Sequence, residues 1–261
     1  MASETLALNF IDLHVPSSAP HTNFAGDAAD KKTARLAGDF YLMVALFGGF
    51  AVGFAEPKMY VAKNAMLTAQ TVLANAGLVR VAVVADLLNQ AFFVATVITL
   101  YALLRHVHHG AARAMVVLVA VAAAIGSLNA VFLFESLQVA TDPTYLAAFG
   151  QKGVEALVLL LVDMQHYGLL ATQVFFGLWL APLGYLALKS GRFPKVLGVM
   201  LIAAAGCYII DLLVAFLAPE LVSTLHGPLS IPVLIAEVWM VLYLLVIGVR
   251  PTKLGESDAQ K

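Results

Sequence analysis

VEALVLLLVDMQHYGLLATQVFFGLWLAPLGYLAL, residues Val154–Leu188, is the stretch on which the fold turns. It stays apolar over about 35 residues, and one straight helix of that length would measure about 52 Å. A hydrocarbon core is only ~30 Å thick and takes about 20 residues, so a single span overshoots it without extreme tilt. The polar letters of LVDMQHYGLL, Leu161–Leu170, offer the economical break. A short helical stub outside the membrane then feeds a span over about Met164–Leu188.

Five further segments reach spanning length: about Leu36–Ala55, Val79–Leu104, Ala114–Ala140, Val196–Leu217 and Ile231–Val249. Composition agrees. The 261 residues are 61% hydrophobic and 12% charged, with a mean hydropathy of +0.90. Soluble domains carry about 25% charged residues, so the chain reads as an all-α polytopic helix bundle. A net charge of −1 excludes the basic footprint of a nucleic-acid binder. Cys207 is the one cysteine, so no intrachain disulfide can form. MASETLALNF has no basic region leading into an apolar core, and no cleaved signal peptide is expected.

With the N-terminus inside, the inner segments hold Lys31, Lys32, Arg35, Arg105, Arg113, Lys189, Arg192, Lys195, Arg250, Lys253 and Lys261. Only Lys58, Lys63, Arg80 and Lys152 fall outside. The positive-inside rule thus predicts six spans with both termini cytoplasmic. Residues 1–34 read as a polar, mostly mobile tail, 35–250 as one membrane bundle, and 251–261 as a polar tail. Two outer connections look helical and amphipathic, suited to lie on the membrane surface or to act as a lid. One is Met59–Ala76, with Ala62, Ala65, Met66, Ala69, Val72, Leu73 and Ala76 on one face and Gly77 as its C′ residue. The other is the stub Thr144–Val162. Gly49 and Gly53 form a GxxxG suited to close helix approach, and Pro182 is expected to kink the fourth span.

Each span after the first brings an acid to a similar depth. Asp86, Glu135, Asp211 and Glu237 lie roughly 8–12 Å below the outer boundary. Asp163 and His166 open the fourth span near that level, and Glu56 ends the first. A carboxylate at a helix centre costs about 2.5–3.5 kcal/mol on insertion scales, somewhat less toward the interface. Such residues should therefore face the bundle interior and share protons or donors. Asp86, Asn89 and Gln90 make one stripe at i, i+3, i+4. Asp163, His166 and Tyr167 repeat it, with Gln173 a heptad beyond His166, and Cys207, Tyr208 and Asp211 form a third patch.

The expectation is a polar cavity open to the outside, in which Asp86, Glu135, His166, Asp211 and Glu237 carry acid–base chemistry. Asn89, Gln90, Asp163, Tyr167, Gln173 and Tyr208 would line it and hold the substrate. The same residues could instead form a hydrogen-bond network that only braces the helices. No metal site or cofactor is assigned. A haem would need histidines on facing spans and only His166 lies in one. A zinc site from His166, Asp163, Asp211, Glu237 and His226 has no HExxH-like spacing behind it. The RHVHHG run, Arg105–Gly110, reads as a solvated basic loop. QAFF at Gln90–Phe93 and QVFF at Gln173–Phe176 hint at a parallel repeat, which aromatic bias alone can produce.

ARLAGDFYL entering the first span, TLYALLR closing the second, and VFFGLWLAPLGYLALKSGRFPKVLGVML joining the fourth and fifth resemble a bacterial multi-pass family. That family is catalogued only as a domain of unknown function, of the 4386 type. The resemblance covers about Ala34–Val249, and the block Phe175–Gly198 is its most specific part. It implies a six-or-seven-helix protein of the inner membrane and brings no established activity, cofactor or catalytic residue. Function therefore rests on the residues. They suit a membrane enzyme acting on an isoprenoid- or lipid-like substrate, a proton-coupled small-molecule transporter, or a lipid- or pigment-binding protein. The expected partners are membrane lipids and a lipophilic small molecule; oligomeric state and the existence of a reaction stay open. The orientation is testable: a fluorescent protein fused to either end should glow in the cytoplasm, whereas alkaline phosphatase fused there should stay inactive.

Overall fold

A computed structural model describes residues 24–251, and among them every regular element is helical. The helices are α1 (Phe24–Gly48), α2 (Ala65–Ala74), α3 (Ala76–Leu104), α4 (His109–Thr141), α5 (Pro143–Leu178), α6 (Leu180–Ser190), α7 (Lys195–Leu217) and α8 (Val222–Val246). The first span ends in a π-helical segment, Gly49–Ala55, and a 3-10 turn, Glu56–Lys58. Six helical stretches among the described residues are long and apolar enough to cross a membrane, and each contains one of the six expected segments or nearly coincides with it. Rows of Val, Leu and Ile stand exposed around the outside, such as Val196, Val199 and Ile202 on α7 and Leu234, Val238 and Leu242 on α8. An apolar surface this continuous is the lipid-facing wall of an integral membrane protein.

The interior divides into two cores. The larger joins Tyr41 of α1, Phe93, Val97 and Leu100 of α3, Met115 of α4, Trp179, Leu183, Leu201, Met240 and Leu244. The smaller sits at the end carrying α2, here the cap end, and joins Ala69, Val72, Leu133, Leu137, Val154, Val158 and Val162. It explains the main departure from expectation. The chain does not break at LVDMQHYGLL, which is helical throughout. The interruptions fall at Gly150 (φ 66°, ψ 172°), in the left-handed half that glycine tolerates, and at Trp179, next to the carbonyl that Pro182 cannot donate to. The helix can overshoot a bilayer because Val154, Val158 and Val162, one turn apart, bury against α2 and α4. The excess length is covered by protein instead of lipid.

Other details shift for similar reasons. Asn64 caps α2 by accepting from Leu67 N at 3.0 Å, so the outer helix starts at Ala65, and Gly77 lies inside α3 instead of ending α2. Thr68, Ala69 and Val72 bury while Met66 and Leu73 stay exposed, so only part of the expected apolar face packs on the protein. Asp142 caps α5 through Thr144 N at 2.8 Å, and the bonds to Thr144 hold its carboxyl below the usual range. In the RHVHHG run, His108 Nδ1 accepts from Ala111 N at 3.0 Å and caps α4. The GxxxG pair is not a contact: methyls added at Gly49 or Gly53 would meet open space.

At the opposite, basic end, Gly191 (φ 64°) closes α6 in the left-handed conformation that glycine adopts freely. The next residue, Arg192, is 3% exposed and ties three segments together. Its Nη1 donates to Asp30 at 2.7 Å and its Nε to the Arg250 carbonyl at 3.2 Å, while its own carbonyl accepts from Tyr243 OH at 3.1 Å. Asp30 belongs to helix α1, which starts at Phe24, so residues 24–34 are helical where a tail was expected; the burial of Ala34 and the Arg192 bond hold them. The remainder of that tail and 252–261 lie outside the described residues. Replacing Arg192 with Met should cost about 2–4 kcal/mol, because both ties vanish at once. Asp30→Asn, at a half-exposed site, should cost about 1 kcal/mol or less. Thermal unfolding of the detergent-solubilised variants reads both.

Candidate functional site

Between α1, α3, α4, α5, α7 and α8 lies a cavity of about 290 Å³. Asp86, Asn89 and Gln90 line it from α3, Thr172 and Gln173 from α5, Tyr208 from α7 and Glu237 from α8. The i, i+3, i+4 stripe on α3 does what its spacing predicts and turns three polar groups to one side. Gln90 Nε2 donates to Asp86 Oδ1 at 3.1 Å, and Asn89 Nδ2 to the Val44 carbonyl at 3.1 Å. Across the cavity Glu237 accepts from Tyr208 OH at 2.9 Å and from Tyr41 OH at 3.0 Å. Toward the basic end the space closes on aromatic rings: Phe93 stacks on Phe176 at 4.6 Å and meets Trp179 edge-on at 5.1 Å. The two QxFF motifs thus face each other, their glutamines in the cavity and their last phenylalanines in contact.

Room for the polar groups comes from facing glycines. The Gln90 amide lies on Gly126 of α4, where an added methyl would sit 2.6 Å from its nitrogen. Asn89 occupies the same kind of notch at Gly48, and Asn129 at Gly168. Asn129 also donates to Thr172 Oγ1 at 3.4 Å. Polar side chains thereby reach the helix interfaces without prising the helices apart.

A second opening adjoins the first. Between α1 and α8 runs an apolar groove of about 500 Å³, lined by Leu42, Ala45, Val233, Leu234, Val238 and Leu242. Val44, Ala45, Tyr208 and Glu237 line both spaces, so Glu237 with its two tyrosines stands at their junction. Among the described residues lining either space there is no Lys, Arg or His.

The remaining acids do not join this cavity. His166 Nδ1 pairs with Glu56 Oε1 at 2.7 Å, and Asp163 accepts from Tyr60 OH at 2.7 Å, while the Tyr60 and His166 rings lie 4.9 Å apart. Burial and the bond to Asp163 push the Tyr60 phenol well above its ordinary value, so it stays a donor. This cluster belongs to the cap end, and Tyr167 beside it is exposed. Glu135 accepts from Tyr145 at 3.2 Å, a brace between α4 and the start of α5. Asp211 pairs with the exposed His226 at 3.0 Å beside a pocket of about 210 Å³, which Cys207, Gln173 and Tyr208 also line. No three His, Cys, Asp or Glu groups converge as a metal site among the described residues.

Of the eleven residues expected at the site, Asp86, Asn89, Gln90, Gln173, Tyr208 and Glu237 come together. Asp163, His166, Tyr167 and Glu135 lie elsewhere, and Asp211 faces the side pocket. One layer became several places because helices that overrun the membrane by different lengths make distance from a helix end a poor measure of depth. Sequence reasoning missed Tyr41 and Tyr60, whose hydroxyls hold carboxylates, and the glycine notches. The one signal for Tyr41 was its place in the ARLAGDFYL block.

Residues 36–248 match the family described as Domain of unknown function (DUF4386). Neither the curated proteins nor the solved structures contain a match to the chain. The notches yield a test. Gly126→Ala should drive Gln90 off Asp86 and cost about 1–3 kcal/mol, whereas Gly206→Ala, with nothing near the new methyl, should be neutral or gain up to about 1 kcal/mol. Thermal unfolding of Gly126→Ala combined with Gln90→Ala should show recovery, the mark of a direct coupling.

Proposed function

We propose that this chain, which belongs to the DUF4386 family, is an integral membrane enzyme that performs acid–base chemistry on a lipophilic substrate entering sideways from the bilayer. One observation carries the reading: Glu237 stands where an apolar groove between α1 and α8 meets a polar cavity. A molecule with a long apolar part can lie in the groove and set its polar end against Glu237. Tyr41 and Tyr208 orient the carboxylate, and Asp86 supplies a second acid or base across the cavity. The aromatic floor of Phe93, Phe176 and Trp179 favours chemistry over passage, since transport needs a way through.

In this reading both termini face the cytoplasm of the inner membrane, which the clustering of eleven of the fifteen basic residues on that side supports. The cap end with α2 then lies outside, and its exposed Met66 and Leu73 rest on the interface. Comparing lipid extracts from cells that overproduce the chain with extracts from cells carrying Glu237→Gln tests the reading. The native protein should deplete one lipophilic species and accumulate another. Glu237→Gln should slow that conversion about 100-fold or more, and Glu135→Gln, outside the cavity, should leave it within about twofold. Identical extracts from producing and non-producing cells would overturn the proposal.

A further inference from the structure

The polar cavity is rich in acceptors, and among the described residues no cationic side chain lines it. Asn89 and Gln90 are 5% and 6% exposed, more than nine-tenths buried, and the oxygen of each amide has no partner. Their orientation is settled by what their nitrogens do. Turning Asn89 around would set its oxygen against the Val44 carbonyl, and turning Gln90 would set its oxygen against the Asp86 carboxylate. Both oxygens are therefore left over, beside a carboxylate that is itself buried. Burying an acceptor without a donor costs about 1–3 kcal/mol, and here two such oxygens lie beside a carboxylate that takes a single side-chain donor.

We infer that the substrate of this site is a lipophilic cation with N–H donors: a protonated primary amine, or a similar donor-rich cationic head, on a long apolar chain. The inference rests on the groove-and-cavity reading above and adds the head group. A primary ammonium carries three donors and no acceptor, which matches the Asp86 carboxylate and the oxygens of Asn89 and Gln90. Its charge is answered by Asp86 and Glu237, with no cationic side chain in either lining to oppose it. An alcohol satisfies one acceptor and leaves the others bare. A carboxylate or phosphate head meets two acids and is repelled. The chain then runs past Ala45 into the apolar groove.

The test is equilibrium binding of radiolabelled dodecylamine to the full chain in lipid nanodiscs, with empty nanodiscs subtracted, near neutral pH. Dodecanol and dodecanoate serve as competitors of equal chain length. Dodecylamine should bind saturably, dodecanol should compete at least about tenfold more weakly, and dodecanoate should compete less still. Asp86→Asn should weaken the amine at least about tenfold while leaving dodecanol nearly unchanged, and Ala45→Trp should exclude both chains. Equal competition by amine and alcohol would overturn the cationic head and leave the lipophilic site standing. An undiminished affinity in Asp86→Asn would do the same, as would displacement of the amine by sodium ions alone, which would mark an inorganic cation site. Absence of saturable binding by either amphiphile would take down the groove reading as well. Should Asp86→Asn not fold, the ranking of the head groups on the native protein decides the matter.

Discussion

Every polar side chain inside this bundle has to find its partner and its space within the protein, since lipid supplies neither. That constraint explains the pairings better than any single contact. Glu237 takes two tyrosine hydroxyls, Asp163 takes one, and Glu56 takes an imidazole. Each neutral or cationic donor comes from a different helix or loop, so satisfying an acid also fixes how two segments sit against each other. A buried, unmatched carboxylate would cost several kcal/mol, which makes these bonds conditions of the fold and not additions to it.

Space is the second half of the same problem. An amide group needs several ångströms of clearance, yet membrane helices gain stability by close approach. Gly48, Gly126 and Gly168 resolve the conflict by removing a side chain opposite each amide. Around Trp179, Phe93 and Phe176 aromatic rings fill the space between the helices. Beside Asn89 and Gln90 the matching stops short, and amide oxygens without donors adjoin a cavity. The proposed cationic head group rests on that shortfall.

The cap end shows a different balance. Helices α4 and α5 run well beyond what a bilayer requires, and the surplus is stabilised by a second core built on valines, leucines and α2. The acids placed there, Asp163 and Glu135, brace loops and helix ends. Asp86 and Glu237, deeper in the bundle, face the cavity.

The class of the protein, its six spanning segments and the existence of polar stripes on α3, α5 and α7 were determined by the sequence alone. Those properties depend on local composition and on the 3.6-residue period, both of which act within one helix. The α3 stripe survives intact for that reason. Which acids share a cavity depended on how far each helix overruns its neighbours, and on contacts between residues such as Tyr41 and Glu237, 196 positions apart. Periodicity could say that Glu237 and Glu135 each sit a few residues inside a helix end. Only the packed bundle sets one against a lipid-facing groove and the other against a tyrosine in the cap, because depth and partner are properties of helices stacked together and not of any one of them.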